Sequence, residues 1–198
     1  MKKLLYTFLA VSIIFSACEK EDESSSNNNS NNYNGNNSSL AIGDTHQGGI
    51  IFYLDGNGGG LIAAPYDQGT FEWGCYQSLV TGADGTTIGT GFQNTIDIVN
   101  ANCSPNQNPN NLLAANVCAN LTLGGYSDWF LPSIDELYEM YITLHVQGLG
   151  NFTNFLAYWS STELDSDNAW KCTFANNGLL GNSSKFNETF NVRAIKAF

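Results

Sequence analysis

Residues 40–198 predict a single α+β domain with antiparallel strands and about three helices, and three observations carry that reading. Short runs rich in apolar and β-branched residues recur at 49–54, 61–64, 158–162, 169–175 and 189–198, bounded by Gly, Asn and Asp. Apolar residues return at helical spacing in three other stretches, 92–101, 111–121 and 133–146. The chain of 198 residues, less a leader and a linker, is long enough for one domain with a real core, and it contains no internal repeat.

The first 39 residues read as export and tethering segments. Lys2 and Lys3 precede a mostly apolar run from Leu4 to Ala17, too short to span a bilayer comfortably and suited to the core of a signal peptide over residues 1–17. Ser16-Ala17-Cys18 resembles the lipobox of bacterial lipoproteins, with Phe15 where leucine is usual, and the resemblance implies lipidation at Cys18. Ordinary cleavage beside an incidental cysteine is the alternative. Glu19 to Glu23 holds one lysine among acids, similar to the signal that sends some lipoproteins to the outer face of the outer membrane. A solvated charge run has the same composition. Ser24 to Ser39 is almost wholly Asn and Ser and has nothing to bury, so residues 18–39 are expected to form a flexible tether reaching roughly 25 Å.

Within the domain, Gly49 to Leu54 reads as a buried strand and Leu61 to Ala64 as its partner. The glycine-rich Asp55 to Gly60 between them is a hairpin turn: a calcium loop of the EF-hand type requires an acid where Tyr66 stands. A helix over Phe92 to Ala101 uses Ile96 and Val99 on one side. The Asn- and Pro-rich run 104–111 is a loop, and a second helix follows from Asn111 to Leu121. Pro132 ends the aromatic stretch Tyr126, Trp129, Phe130. Ser133 and Glu136 then form a Ser-x-x-Glu capping box for a helix to about 146, with Ile134, Leu137, Tyr138, Tyr141 and Leu144 on its apolar face. Tyr158 to Thr162, Ala169 to Ala175 and Thr189 to Phe198 are strands, with Asn176-Asn177-Gly178 as a turn between two of them.

The stretch Gly125 to Leu137 resembles the Gly-x-x-Asp-Trp-Arg-Leu-Pro-Thr-x-x-Glu-Leu signature of the Lcl C-terminal domain family. Tyr158 to Thr162, Val192 to Lys196, Gly48 to Tyr53 and Leu61 to Pro65 agree in the same order, so the resemblance spans most of 42–198. Phe130 stands where the family has arginine. The resemblance implies a C-type-lectin-like fold, related distantly to the formylglycine-generating enzymes, and an adhesin-like role, since the best-known member binds sulfated polysaccharides. The catalytic cysteine pair of those distant enzymes is not matched, because Cys172 stands alone near the C-terminus.

Charge and cysteines narrow the function further. From Leu40 onward fourteen acidic and four basic residues leave a formal charge of −10, which disfavours nucleic acid and anionic surfaces as partners and leaves only Lys171, Lys185, Arg193 and Lys196 for any polyanion. Four cysteines besides Cys18 suggest two disulfides rather than a zinc site, as no Cys-x-x-Cys occurs. Cys103 and Cys118 bracket a loop between two helices, favouring that pair and leaving Cys75 with Cys172. His46 and His145 read as surface or capping residues, and no catalytic motif stands out. Glu163, Asp165, Asp167 and Asn168 beside Trp170 have the oxygen chemistry of a calcium site, although a solvated acidic turn looks the same. Trp73 and Tyr76 are candidate sugar-stacking rings, with core packing as the alternative. The expectation is a surface-anchored, non-catalytic binding module in the outer membrane for a glycan or protein. An enzyme acting on envelope or host polysaccharide, or a structural envelope lipoprotein, are the competing classes. Replacing Cys18 by Ala is expected to release the protein from the membrane fraction, read by fractionation and immunoblot; retention there would overturn lipidation.

Overall fold

Alternating side chains along short strands give this domain two sheets whose central strands are buried on both faces. The computed structural model describes residues 39–107, 112–175, 177–186 and 188–198. The expected signal peptide, Cys18, the tether as far as 38, Asn111 and Asn176 lie outside the described residues. In chain order the elements are β1 (Thr45–His46), β2 (Gly49–Leu54), β3 (Gly60–Ala63), β4 (Gly69–Phe71), α1 (Gly91–Asn100), α2 (Ala114–Ala119) and α3 (Ile134–Met140). A π-helical turn, Tyr141–His145, extends α3, and β5 (Ala157–Glu163), β6 (Asn168–Thr173), β7 (Leu179–Ser184), β8 (Phe190–Val192) and β9 (Ile195–Ala197) complete the domain. The sheets run β1-β2-β3-β9 and β4-β8-β5-β6-β7; every pairing is antiparallel except β5 with β8. The fold is α+β, and no helix among the described residues is long and apolar enough to cross a membrane.

Strand periodicity separates two cores. Ile51, Ile62 and Trp159 face one with Trp73, Ile98 and Trp129. Their neighbours Phe52, Leu61 and Tyr158 face the other, with Leu137, Met140, Leu144 and Phe174. The capping box of α3 forms as expected: Ser133 N donates to Glu136 Oε2 (2.7 Å) and Glu136 N to Ser133 Oγ (3.3 Å). Glu136 also accepts from Gly89 N at 2.8 Å, so one buried carboxylate ties the start of α3 to the loop before α1. Burial pushes that carboxyl up and the amide hydrogen bonds oppose the shift. A side chain at Gly91 would collide with the Glu136 carboxylate, which explains the glycine.

Several expectations need correction. The helix over 133–146 changes pitch at Tyr141, where Val146 N reaches back five residues to Tyr141 O. The Thr143 hydroxyl, bonded to Glu139 O and Phe52 O, competes for the backbone there. In α1 the buried face is Asn94, Thr95 and Ile98 rather than Ile96 and Val99; Asn94 bonds to Gly85 N and O, and Thr95 to Leu131 N. The second helix is shorter than 111–121 and buries Ala114, Ala115 and Cys118, leaving Leu112 exposed. Thr189 to Phe198 is two strands in different sheets. The chain crosses between them at Arg193, whose buried guanidinium donates to Asp67 Oδ1, Ala64 O and Gly150 O. A further strand, β7, occupies residues that sequence periodicity left unassigned.

The disulfide pairing is also corrected. Cys75 is bonded to Cys103, and Cys118 and Cys172 are free. Cys118 lies on the inward face of α2 in the first core and Cys172 on β6 in the second, so each is packed among apolar side chains away from a partner. Burial raises both thiols, Cys172 to about 12 and Cys118 higher still, which keeps them protonated and unreactive. Closing the Cys75–Cys103 loop should contribute roughly 3–4 kcal/mol on the chain-entropy model. Alkylation of the native protein is expected to leave Cys118 and Cys172 unmodified until denaturant is added, with a Cys75–Cys103 peptide in non-reducing maps. Labelling of Cys103 without reductant would overturn the pairing.

Candidate functional site

The site grows from one buried ammonium group. β7 ends at Ser184, and Lys185 turns its side chain inward, where none of it is exposed. Its Nζ sits 2.6 Å from Glu163 Oε1 and donates to Ser78 O (3.2 Å) and Cys75 O (3.4 Å), so all three protons have an acceptor. The ammonium also lies 4.9 Å from the centroid of the Trp73 ring. Glu163, at the end of β5, accepts in addition from Val80 N at 3.0 Å. A buried charge pair is costly unless its remaining hydrogen bonds are satisfied, and here they are.

These contacts fold residues 72–80 into a fixed loop. Trp73 anchors it, 1% exposed, with Nε1 donating to Ser160 O at 2.8 Å. Cys75 is tied by the disulfide, and Gln77 N donates to Ser166 O at 2.9 Å. Cys75 (φ 56°) and Gln77 (φ 62°) both adopt the left-handed conformation, uncommon outside glycine, on either side of Tyr76. Tyr76 is half-buried and its ring meets Phe186, 41% exposed, at a centroid distance of 4.9 Å. Leu79 is exposed on the same loop as Tyr76, and Leu164 on the turn between β5 and β6. Behind them the buried Glu72 accepts from Asn106 N (2.8 Å) and Gln107 N (2.9 Å), joining residues 103–107 to the cluster.

The two segments singled out in the sequence are therefore neighbours, but not in the roles expected. Trp73 is a core residue, because its ring underlies Lys185; it cannot serve as a sugar platform. Tyr76 keeps a partly open ring. The calcium site does not assemble: Glu163 is engaged by Lys185 and Val80. Asp165 Oδ1 accepts from Asp167 N (2.8 Å), Asn168 N (2.8 Å) and Asn168 Nδ2 (3.0 Å), which shapes the β5–β6 turn. The Asp167 amide holds the Asp165 carboxyl below the usual carboxylate range. No group of three or more His, Cys, Asp or Glu side chains among the described residues is arranged to hold a metal ion. Phe186 and the organising role of Lys185 were missed. The available signal was scarcity: of four cations in residues 40–198, Lys185, Arg193 and Lys196 are buried and paired with Glu163, Asp67 and Asp128. Lys171, the fourth, lies 5.1 Å from the Phe190 ring centroid.

No protein-family model matches the chain, and no curated protein matches it.

Lys185→Met is expected to destabilise the domain by about 3–5 kcal/mol in urea unfolding, since it strands a buried carboxylate. Adding Glu163→Gln, which keeps an acceptor for Val80 N and removes the charge, should recover part of that loss. A Lys185→Met variant as stable as the wild type would overturn the organising role of the pair.

Proposed function

We propose that this chain is a surface-anchored lipoprotein whose domain is a non-catalytic binding module, with the loop cluster around Tyr76 and Phe186 as its recognition surface. The observation that supports this most is the presentation of Tyr76. A half-buried aromatic flanked by two left-handed residues is held by a disulfide, an ammonium and a cross-loop hydrogen bond. Backbone strain of this kind costs of order 1–3 kcal/mol per residue and persists where surrounding structure over-determines it. Rigid aromatic side chains lose little entropy on contact and recur at the energetic centres of interfaces. The resemblance to Lcl C-terminal domains and the expected lipobox and tether agree with an anchored binder.

Charge limits the ligand. All four basic residues of residues 40–198 are engaged inside the domain or against its rings, so a sulfated glycan finds no basic patch on the described surface. The reading is therefore a neutral glycan or a protein segment, not the polyanion bound by the best-known member of the resembling family.

Tyr76→Ala combined with Phe186→Ala is expected to weaken capture of ligand at least tenfold in glycan-array and pull-down assays while leaving the unfolding midpoint within a few degrees of wild type. Full binding by the double variant would remove this surface from consideration. Turnover of a polysaccharide by the purified protein, lost on mutation of one acid, would overturn the non-catalytic reading.

A further inference from the structure

The far end of β6 carries a second concave site. The strand begins at Asn168, beside the loop cluster, and the chain leaves it through Phe174 and Ala175, roughly 20 Å away at about 3.3 Å per residue. There the π-helical turn brings Tyr141 and His145 onto one side, their rings 5.4 Å apart. Single π-helical turns are rare and often accompany function. Tyr141 Oη donates to Ala175 O at 2.6 Å, and the His145 ring rests 5.2 Å from that of Phe174. Tyr141, His145 and Ala175 line a cavity of about 300 Å³ with Val146, Asn154 and Phe155.

Phe155 is the unusual wall. It is 72% exposed, and its backbone is left-handed with φ at 67°. A bulky residue in that conformation is an outlier, and nothing in the core gains from its ring. The hydrogen bond from Phe155 N to Phe174 O (2.7 Å) holds the backbone in place and leaves the ring beside the cavity. The polar lining is uncharged in character. Burial lowers the His145 imidazole below its usual range, so at neutral pH the ring is neutral with one donor and one acceptor. Asn154 lines the same cavity and brings an amide with both functions.

We infer that this cavity is a monosaccharide subsite that takes a neutral hexopyranose, its C–H face on Phe155 and its hydroxyls on His145 and Asn154. The chemistry of the ligand follows from the lining. A pyranose has one apolar face formed by axial C–H bonds and a rim of hydroxyls that both donate and accept. One exposed ring wall with neutral, two-way hydrogen-bonding side chains beside it complements that pattern. A carboxylate or sulfate would find no cation among the lining residues. The volume suits one ring, and few polar groups at fixed positions are the usual makeup of small-molecule sites. The inference rests on the proposed binding role and adds a sugar class and a place distinct from Tyr76.

Saturation-transfer NMR on the full chain with methyl β-glucopyranoside, methyl β-galactopyranoside and N-acetylglucosamine at millimolar concentration tests it. At least one is expected to receive saturation on the protons of its C–H face. Phe155→Ala should weaken that binding roughly tenfold. Phe155→Trp should keep it, and both variants should unfold like the wild type because the ring is exposed. Phe155→Ala should weaken the transfer just as strongly in the Tyr76→Ala, Phe186→Ala background, where the loop cluster no longer contributes, which separates this subsite from that surface. Absence of transfer from all three sugars, or transfer undiminished in Phe155→Ala, overturns the subsite whatever the loop cluster binds.

Discussion

The Lys185–Glu163 pair is the interaction on which one end of the domain depends. It joins the end of β7 to the end of β5 and, through two carbonyls, to the loop that carries Tyr76. Transferring two charges from water is expensive, and such a pair often contributes little net stability compared with an apolar replacement. What it supplies here is geometry. Three acceptors around one ammonium fix three chain segments relative to each other, and Trp73 beneath them closes the site to water. An apolar side chain at 185 could fill the volume but would leave Cys75 O and Ser78 O without that donor.

Arg193 repeats the device between the sheets. It occupies the crossing from β8 to β9 and bonds to Asp67, Ala64 O and Gly150 O, with its guanidinium 4.0 Å from the Phe152 ring centroid. A planar fork with five donors suits a crossing where several carbonyls converge, whereas lysine offers a point charge. Two of the few cations in an acidic domain therefore act as internal braces. The surface left behind is strongly anionic by subtraction.

Local signals in the sequence were read well where the physics is local. The Ser133–Glu136 capping box, the strands at 49–54 and 158–162 and the helix after Phe92 each depend on neighbours within a few residues. Longer-range features were not legible. Periodicity cannot show that residues 189–198 divide between two sheets, because the break follows from where Asp67 and Gly150 meet Arg193. Cysteine spacing favoured Cys103 with Cys118, yet the inward face of α2 carries Cys118 into the core, and Cys75 approaches Cys103 only through the fold of the 72–80 loop. The acidic turn 163–168 has the composition of a cation site, but Asp165 is taken by amides and Glu163 by a lysine distant in sequence. Of the candidate site, the two loops were legible and their roles were not.

Both proposed sites share one structural habit. Tyr76 lies between the left-handed residues Cys75 and Gln77, and Phe155 is itself left-handed. In each case the unfavourable backbone is offset by fixed contacts: the disulfide and Lys185 in the first, the bond to Phe174 O in the second. A loop free to relax would turn either ring toward the core, where burial of an aromatic side chain is worth roughly 1.5–3 kcal/mol. Holding the rings outward gives up that gain and removes the ordering cost from the moment of contact. On the proposed binding role, rigid sites at two ends of one sheet can engage separate units of one repeated ligand.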